Sequence, residues 1–323
     1  MKRFIFICIF AVGVLFFSPA ASATTIFSPI IELEAAPGET VNGLVKLFNE
    51  TAENVVLSSV VEAFTSGDET GQPVYLPPEA QYDYLNWFAV EQKEITLTPR
   101  QVALVPFTVK VPFDAVPGGY YAVIFWQTSL AGENQAPVGI NSRVGTLVFL
   151  KISGAVTESG EVSDFGLKQP DTFFELPVDF TVRFTNSGNI HLRPTGTVEV
   201  KNIFGQKHYL EINPERRNVL PNSTRLFEVV WGSVGNNTNL VSTFLTKLSQ
   251  EFDFLAIGPH TATLELEYGS TSPQRLTETI SFSIWPWRLL LTGVVLVVIV
   301  VFLIRLNNKI NRLKKKLTKK INE

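Results

Sequence analysis

Beyond its N-terminal stretch, this sequence lacks cysteine. The single cysteine, Cys8, lies inside an apolar run well ahead of the small residues Ala21-Ser22-Ala23, so it does not have the position of a lipid-attachment cysteine. Disulfides, thiol nucleophiles and cysteine-based metal sites are therefore excluded from the rest of the chain. A chain without disulfides depends on its hydrophobic cores, and residues 24–284 are long enough to form two.

Groups that carry chemistry are also scarce. The three histidines, His191, His208 and His260, have no partner at the spacings of metal ligands, and no Gly-x-Ser-x-Gly motif is present. Asp68 and Glu69 share a Gly-flanked loop, which predicts a solvated hairpin tip or, alternatively, a weak Ca²⁺ site. The sequence therefore predicts no enzyme, no catalytic residue, no metal and no cofactor.

Both ends of the chain carry export and membrane signals. Residues 1–23 have a basic start, an apolar run and an Ala-x-Ala ending, which predicts a signal peptide. Residues 285–305 predict a transmembrane helix, since Leu289 to Ile304 carry no charge and the 20 residues from Trp285 to Ile304 make about 30 Å of helix. Trp285, Trp287, Arg288 and Arg305 are predicted to lie at the membrane interfaces, with Arg288 reaching outward from the first turn.

Charge is divided unevenly along the chain. Residues 24–284 hold 16 basic and 29 acidic residues, a net charge of about −13, whereas residues 306–323 form a basic tail. By the positive-inside rule the tail is cytoplasmic, which predicts a single-pass type I protein of the cell membrane. The span is expected to contact the lipid bilayer, and the tail is expected to contact anionic lipid headgroups. No nucleic-acid binding is expected of residues 24–284, because their net charge is negative.

The region between these ends alternates at period two between frequent turns. Segments such as "VALVPFTVKVP", "GTVEVKN" and "TATLELEY" are short, rich in Val, Phe and Thr, and bounded by Gly, Pro or Asn. We predict an all-β fold of two tandem Ig-like sandwiches, at 24–155 and 160–284, separated by the polar run "SGAVTESGEVSD". Only Asn237 to Phe252 has the pattern of a short helix, which we interpret as an insertion.

The first predicted sandwich resembles a known family. It contains "SPIIELEAAPGETVNGLVKLFNE", with a Pro-Gly turn and a strand ending in Asn, and then "WFAVEQKEITLTP" and "VPGGYYAVIF". These segments are similar to the peptidoglycan-binding-type domain of WxL-interacting cell-surface proteins. "NVLPNSTRLFEVVW", "GPHTATLELEY" and a final span with a lysine tail follow the order of that family's second domain, although the insertion around 235–257 departs from its pattern. The resemblance implies a bacterial envelope protein that binds cell-wall glycan or another envelope protein.

An aromatic group offers the best candidate binding site. Tyr82, Tyr84 and Trp87 lie within six residues and could present stacking faces to a glycan ring or a protein. The alternative is that the group is partly core, because it leads directly into a strand. Tyr120 or Tyr121 is interpreted as a structural tyrosine corner.

A second segment, "FTNSGNIHLRPTG", is read as a connection between strands. Gly188 permits positive φ and the asparagines can bond their own backbone. His191 has no acidic neighbour in sequence that could tune it.

The combined prediction is a non-enzymatic, membrane-anchored cell-surface protein. Its ectodomain would bind cell-wall polymer or another envelope protein, in adhesion or a related role. The alternative is an assembly chaperone or accessory subunit of an envelope complex that acts through a sheet edge.

Overall fold

The computed structural model describes residues 24–76, 82–128, 143–169, 172–232, 240–254, 256–270 and 272–321. The predicted signal peptide, with Cys8, lies outside the described residues. The chain divides into two compact units, Met1–Thr65 with Pro73–Thr157, and Ser66–Gln72 with Glu158–Glu323. The described residues are mostly β-strand, as predicted, and end in one apolar helix.

The first unit is a two-sheet sandwich. Its strands are β1 (Thr24–Ile26), β2 (Ile30–Ala35), β3 (Thr40–Asn49), β4 (Val55–Ser66), β5 (Pro73–Tyr75), β6 (Phe88–Val90), β7 (Glu94–Leu97), β8 (Val102–Lys110), β9 (Gly118–Thr128) and β10 (Arg143–Ile152). One sheet has the order β1-β3-β8-β6 and the other β2-β10-β9-β4-β5, with β7 beside β4. This division of strands between sheets is that of the immunoglobulin fold.

Alternation along the strands builds the core of the first unit. Val45 and Leu47 of β3, Phe107 of β8 and Trp126 of β9 point inward and are fully buried in one cluster with residues of both sheets. Their sequence neighbours point to the opposite face, as the two-residue period of a strand requires. The position of β3 and β8 therefore determines which of their side chains remain on the outside.

The second unit repeats this plan. Its strands are β11 (Gly160–Leu167), β12 (Thr172–Phe173), β13 (Val178–Asn186), β14 (Thr195–Asn202), β15 (Lys207–Ile212), β16 (Ser223–Trp231), β17 (Gly258–Tyr268) and β18 (Gln274–Ile284). The sheets have the orders β11-β13-β16 and β12-β18-β17-β14-β15. The short strand β12 runs parallel to the last strand β18, as β2 runs parallel to β10.

Two helices belong to the second unit. Helix α1 (Leu240–Asp253) lies between β16 and β17, where the sequence predicts a short helix, and α2 (Trp287–Ile321) follows β18. Within α2, Trp287–Arg312 is long and apolar enough to cross a membrane. The helix continues through the predicted start of the tail at 306 without a break.

A buried asparagine occupies the same place in both units. Asn49 ends β3 and Asn186 ends β13, and neither is exposed to solvent. The Asn186 amide donates to the carbonyls of Ile190 (2.8 Å) and Val219 (2.9 Å), and its Oδ1 accepts from the Gly188 N–H (2.9 Å). Asn49 makes the equivalent bonds to Glu53 O, Leu97 O and Thr51 N–H. Each side chain thus satisfies backbone groups of two loops.

The predicted connection "FTNSGNIHLRPTG" is confirmed, since it joins β13 to β14, but Gly188 does not have the expected positive φ. Replacing Asn186 with Leu should lower the free energy of unfolding by about 1.5–4 kcal/mol, because three buried hydrogen bonds are lost, although Val219 O still accepts from Leu192 N–H and the Gly188 N–H still donates to Ser159 O. Urea unfolding of the full chain would measure it. The neighbouring Ser187→Ala serves as the control, with an expected change within about 0.5 kcal/mol. Equal effects of the two substitutions would contradict this role of Asn186.

Of the histidines of the second unit, His260 is buried and His208, on the edge strand β15, is half-buried. His208 of β15 and His260 of β17 flank Trp231, with ring centroids 5.7 and 5.4 Å from the indole. His260 also stacks on Phe282. Burial lowers the pKa of both histidines, and His208 lowers that of His260 further. Both imidazoles consequently favour the neutral form in the folded protein.

The lowered pKa values predict a pH dependence of stability. Below the unfolded value of about 6.5, the unfolded chain binds protons that the folded chain does not, so stability falls as the pH drops below that point. His260→Phe should flatten the fall between about pH 6.5 and 5, because the buried imidazole that resists protonation is removed. Chemical denaturation at a series of pH values tests this. An unchanged slope in His260→Phe would show that other groups cause the dependence.

Candidate functional site

The predicted aromatic group is anchored in the first unit. A 3₁₀ turn at Asp83–Trp87 carries Tyr84 and Trp87, and both rings meet Tyr120, at centroid distances of 5.2 and 4.8 Å. Tyr82 packs at 5.9 Å from Tyr84. The structure thus brings the three predicted residues Tyr82, Tyr84 and Trp87 together, with Tyr120 as a fourth member.

Tyr84 is held by its hydroxyl as well as its ring. The hydroxyl donates to the Tyr121 carbonyl at 2.9 Å, and burial raises the pKa of Tyr84 to about 12. Tyr84 and Trp87 also pack against the core cluster, so part of the group is structural. Tyr120 donates to the carbonyl of Val116 at 3.0 Å, the upstream backbone bond of a tyrosine corner. A ligand role for Tyr82, Tyr84 and Trp87 stays a prediction.

A larger apolar surface lies on the outside of the sheet β1-β3-β8-β6. Leu44 of β3, Val102 and Leu104 of β8, and Phe27 just after β1 are between 47% and 61% exposed. In the strand register Leu44 faces Pro106, Lys46 faces Leu104, and Phe48 faces Val102. We call Phe27, Leu44, Phe48, Val102 and Leu104 the apolar face. Contiguous exposed apolar surface of this kind marks interaction sites.

The apolar face was not predicted, although the sequence contains a signal for it. In "GLVKLFN" and "VALVPFTVK", residues of both parities are apolar, whereas in "TVEVK" one parity is Thr, Glu and Lys. A strand that faces solvent on one side normally alternates apolar and polar residues. Only the pairing of β3 with β8 shows that the second apolar row lies on the outside and is continuous across two strands.

An open strand edge adjoins the apolar face. β1 pairs only with Leu47–Asn49 of β3, and the N–H of Phe27 reaches Lys46 O at 3.2 Å. Within the described ranges, no strand pairs with Thr40–Val45 on that side of β3. Unpaired backbone groups on an edge can accept a strand from another chain.

The acidic loop carries no support for a cation site. Asp68 accepts hydrogen bonds from Thr70, and Glu69 pairs with Arg183 at 2.9 Å inside the second unit. In the part of the chain that the structure describes, no three His, Cys, Asp or Glu side chains come together. The expected solvated hairpin tip is thus held at Glu69 by its ion pair with Arg183.

The start of α2 is joined to the second unit by backbone and ring contacts. The N–H of Trp285 donates to Phe173 O at 2.8 Å, and Trp287 meets Phe244 of α1 edge to face at 6.2 Å. Both tryptophans remain half exposed, which suits an interfacial position. Arg305 is an exposed residue farther along α2.

Arg288 differs from the expectation that it reaches outward. It is only 9% exposed, and its guanidinium binds Glu175 at 2.6 Å and Glu251 of α1 at 3.1 Å. Glu251 is 1% exposed and also accepts from the Leu289 N–H at 3.1 Å. Lys247 adds a second cation to Glu175 at 3.1 Å. We call Glu175, Lys247, Glu251 and Arg288 the charge cluster, which has no net formal charge.

The charge cluster affects the ionisation of Glu175. Burial by itself raises the pKa of this carboxyl, but hydrogen bonds from Arg288 and Lys247 outweigh burial, so its pKa lies below the ordinary value. The carboxylate therefore stays charged. The Arg288–Glu251 pair, with side chains 10% and 1% exposed, is costly to break from one side, because the remaining buried charge has no partner.

Loss of the Arg288 side chain should release α1. In Arg288→Met, Glu251 remains buried without its cation, at a cost of about 3–5 kcal/mol, so amide exchange in α1 should accelerate by about 100-fold or more. Hydrogen exchange of the full chain in detergent, followed by mass spectrometry, measures this.

The control is Arg275→Met, since Arg275 pairs with Glu267 at 3.3 Å with 84% of its side chain exposed. The control should leave exchange in α1 unchanged, because exposed pairs contribute little. Unchanged protection of α1 in Arg288→Met would show that the charge cluster does not hold this helix.

Comparisons with known proteins give fold likenesses only. No family model and no curated protein matches the chain. The class 5 fimbriae chaperone CfaA is 10% identical with a TM-score of 0.40, and the alignment covers 80% of this chain and 98% of that one. The E. coli chaperone DraB is 9% identical with a TM-score of 0.35, covering 80% and 96%. A chain of the Salmonella enterica SafA pilin–SafB chaperone complex is 10% identical with a TM-score of 0.36, and the alignment covers 81% of this chain and 99% of that one. Similarity at this level does not extend to function.

Proposed function

We propose that this protein is a non-enzymatic, membrane-anchored accessory protein of the cell envelope that holds another envelope protein on its first Ig-like unit. The observation that carries the proposal is the apolar face, with three large side chains about half exposed on two paired strands and a fourth, Phe27, just after β1. Such a surface is costly to leave in water unless a partner covers it.

The chemistry of the apolar face favours a protein over a glycan. Leu44, Val102 and Leu104 are aliphatic, so they offer neither stacking faces nor hydrogen bonds to sugar hydroxyls. The two aromatic members contact each other at 5.9 Å, and the Lys46 ammonium already lies over the Phe27 ring at 4.5 Å. Aliphatic side chains next to an open edge suit a β-strand of a partner, which would bond the free backbone of β3 and cover the face with alternate side chains. The proposed partner is therefore a protein that contributes a strand.

Anchoring completes the proposal. α2 would cross the membrane with the basic tail inside and both Ig-like units outside, as the charge distribution predicts. The partner would then be held close to the cell surface. The resemblance to WxL-interacting cell-surface proteins is compatible with this role and is part of the proposal, as is a bacterial source.

Two charges on the apolar face should abolish partner binding. The variant Leu44→Glu with Leu104→Glu should raise the Kd of the co-purified envelope protein by at least about 100-fold, since each buried leucine contributes about 1.5–3 kcal/mol. The full-length protein in detergent is used for purification from envelopes and for titration. Because both side chains are exposed, stability should change by less than about 1 kcal/mol.

The matched control is Thr277→Glu with Thr279→Glu, two exposed positions on β18 of the second unit. It adds the same charge and should leave binding unchanged. If the double glutamate variant binds as the parent does, while Tyr82→Ala with Trp87→Ala loses retention on isolated cell wall, the aromatic group and a glycan ligand replace this proposal.

A further inference from the structure

Helix α1 is amphipathic, but its charged side faces the protein and its apolar side faces outward. Its charged residues Lys247 and Glu251 are turned inward, into the charge cluster. The outward stripe contains Leu245, Ser249 and Phe252, at helical spacings of four and three, and the two apolar residues are 58% and 67% exposed. A helix against water normally exposes its charges and buries its apolar stripe.

The outward stripe of α1 is continuous with the membrane helix. Leu245 and Phe252 line one groove with Leu289 and Leu296 of α2. Leu296 lies nine residues after the start of α2, which is about 13 Å along a helix. Any medium that covers these first turns of α2 also covers α1.

Turns at the same end of the second unit add further apolar side chains. Asn202 pairs with His260, and Gly258 with Ile284, so the β14–β15 turn lies at the end where α2 leaves. That turn exposes Ile203 and Phe204, and Phe174 after β12 is exposed beside Trp287. We call Phe174, Ile203, Phe204, Leu245 and Phe252 the apolar collar, whose members are 58–67% exposed.

We propose that the apolar collar is a membrane-docking surface that inserts into the interfacial region of the outer leaflet, so that α1 lies in the bilayer surface beside the span. The occupant is lipid because the collar surrounds the origin of α2 and shares a groove with its first turns. Apolar and aromatic side chains of this kind partition into the boundary between headgroups and acyl chains.

The charge cluster makes this position compatible with a low dielectric. Lys247, Glu251 and Arg288 would be costly next to acyl chains as single charges, but each is paired and turned away from the collar. Of the exposed α1 residues, Asp253 lies at the end of the helix and bonds Ser249 at 3.1 Å. The apolar side of α1 is thereby left to lipid.

The proposal rests on α2 as a membrane anchor, and one experiment tests both. The full chain, with Cys8→Ser, receives a single cysteine at Phe204→Cys, Leu245→Cys or Phe252→Cys and a polarity-sensitive fluorophore. A label at Val298→Cys serves as the reference for the proposed membrane span. A label at Thr277→Cys serves as the reference for water, because Thr277 lies about 23 Å from the end of β18 at 3.3 Å per residue. The probes are vesicles of phosphatidylcholine and phosphatidylglycerol that contain lipids with a nitroxide near the headgroup or deep in the chain.

Shallow nitroxides should quench the labels at 204, 245 and 252 several-fold more than the label at 277, and deep nitroxides should quench the label at 298. Quenching at 298 with water-like values at 204, 245 and 252 would overturn docking by the collar while leaving the anchor intact. Water-like values at 298 would instead overturn the anchor, and with it the proposed function. Cysteine at these exposed positions leaves the charge cluster untouched.

Discussion

The ion pairs of Arg288 with Glu175 and Glu251 join the apolar helix to the second sandwich. One side chain of the apolar helix α2 thereby holds both the segment before β13 and the inserted helix α1. Because the charges of α1 are used in this cluster, its outward side is left apolar. The orientation of α1 and the composition of the surface around the start of α2 follow from these pairs.

A second constraint shapes the two units in the same way. Asn49 and Asn186 each end the second long strand of a sandwich and satisfy the backbone of two neighbouring loops. This shared bond pattern agrees with the shared strand order of the units. The units differ in what they expose: the first has the apolar face on two strands, and the second has the apolar collar at one end. By our proposals, one plan thus supplies a surface for a protein partner and another for lipid.

Much of the fold could be read from the sequence, but less of the candidate site. Strand segments such as "TVEVK", the short inserted helix and the apolar helix after Trp285 follow from local periodicity, and the structure contains each of them. The apolar face did not follow, because apolar residues of both parities in "VALVPFTVK" are equally typical of a strand buried on both sides. Arg288 was expected to reach outward, since a sequence gives no sign of carboxylates brought beside it from Glu175 and Glu251.

The sequence alone therefore determined the elements: β-strands with their turns, one short helix, and a long apolar helix followed by basic residues. These depend on residue periodicity, which is local. The tertiary structure decided which apolar row of β3 and β8 is left outside, which face of α1 carries charge inward, and which loops Asn186 ties together. The physical reason is that burial and ion pairing depend on residues distant in sequence, and only strand register and packing bring them within reach.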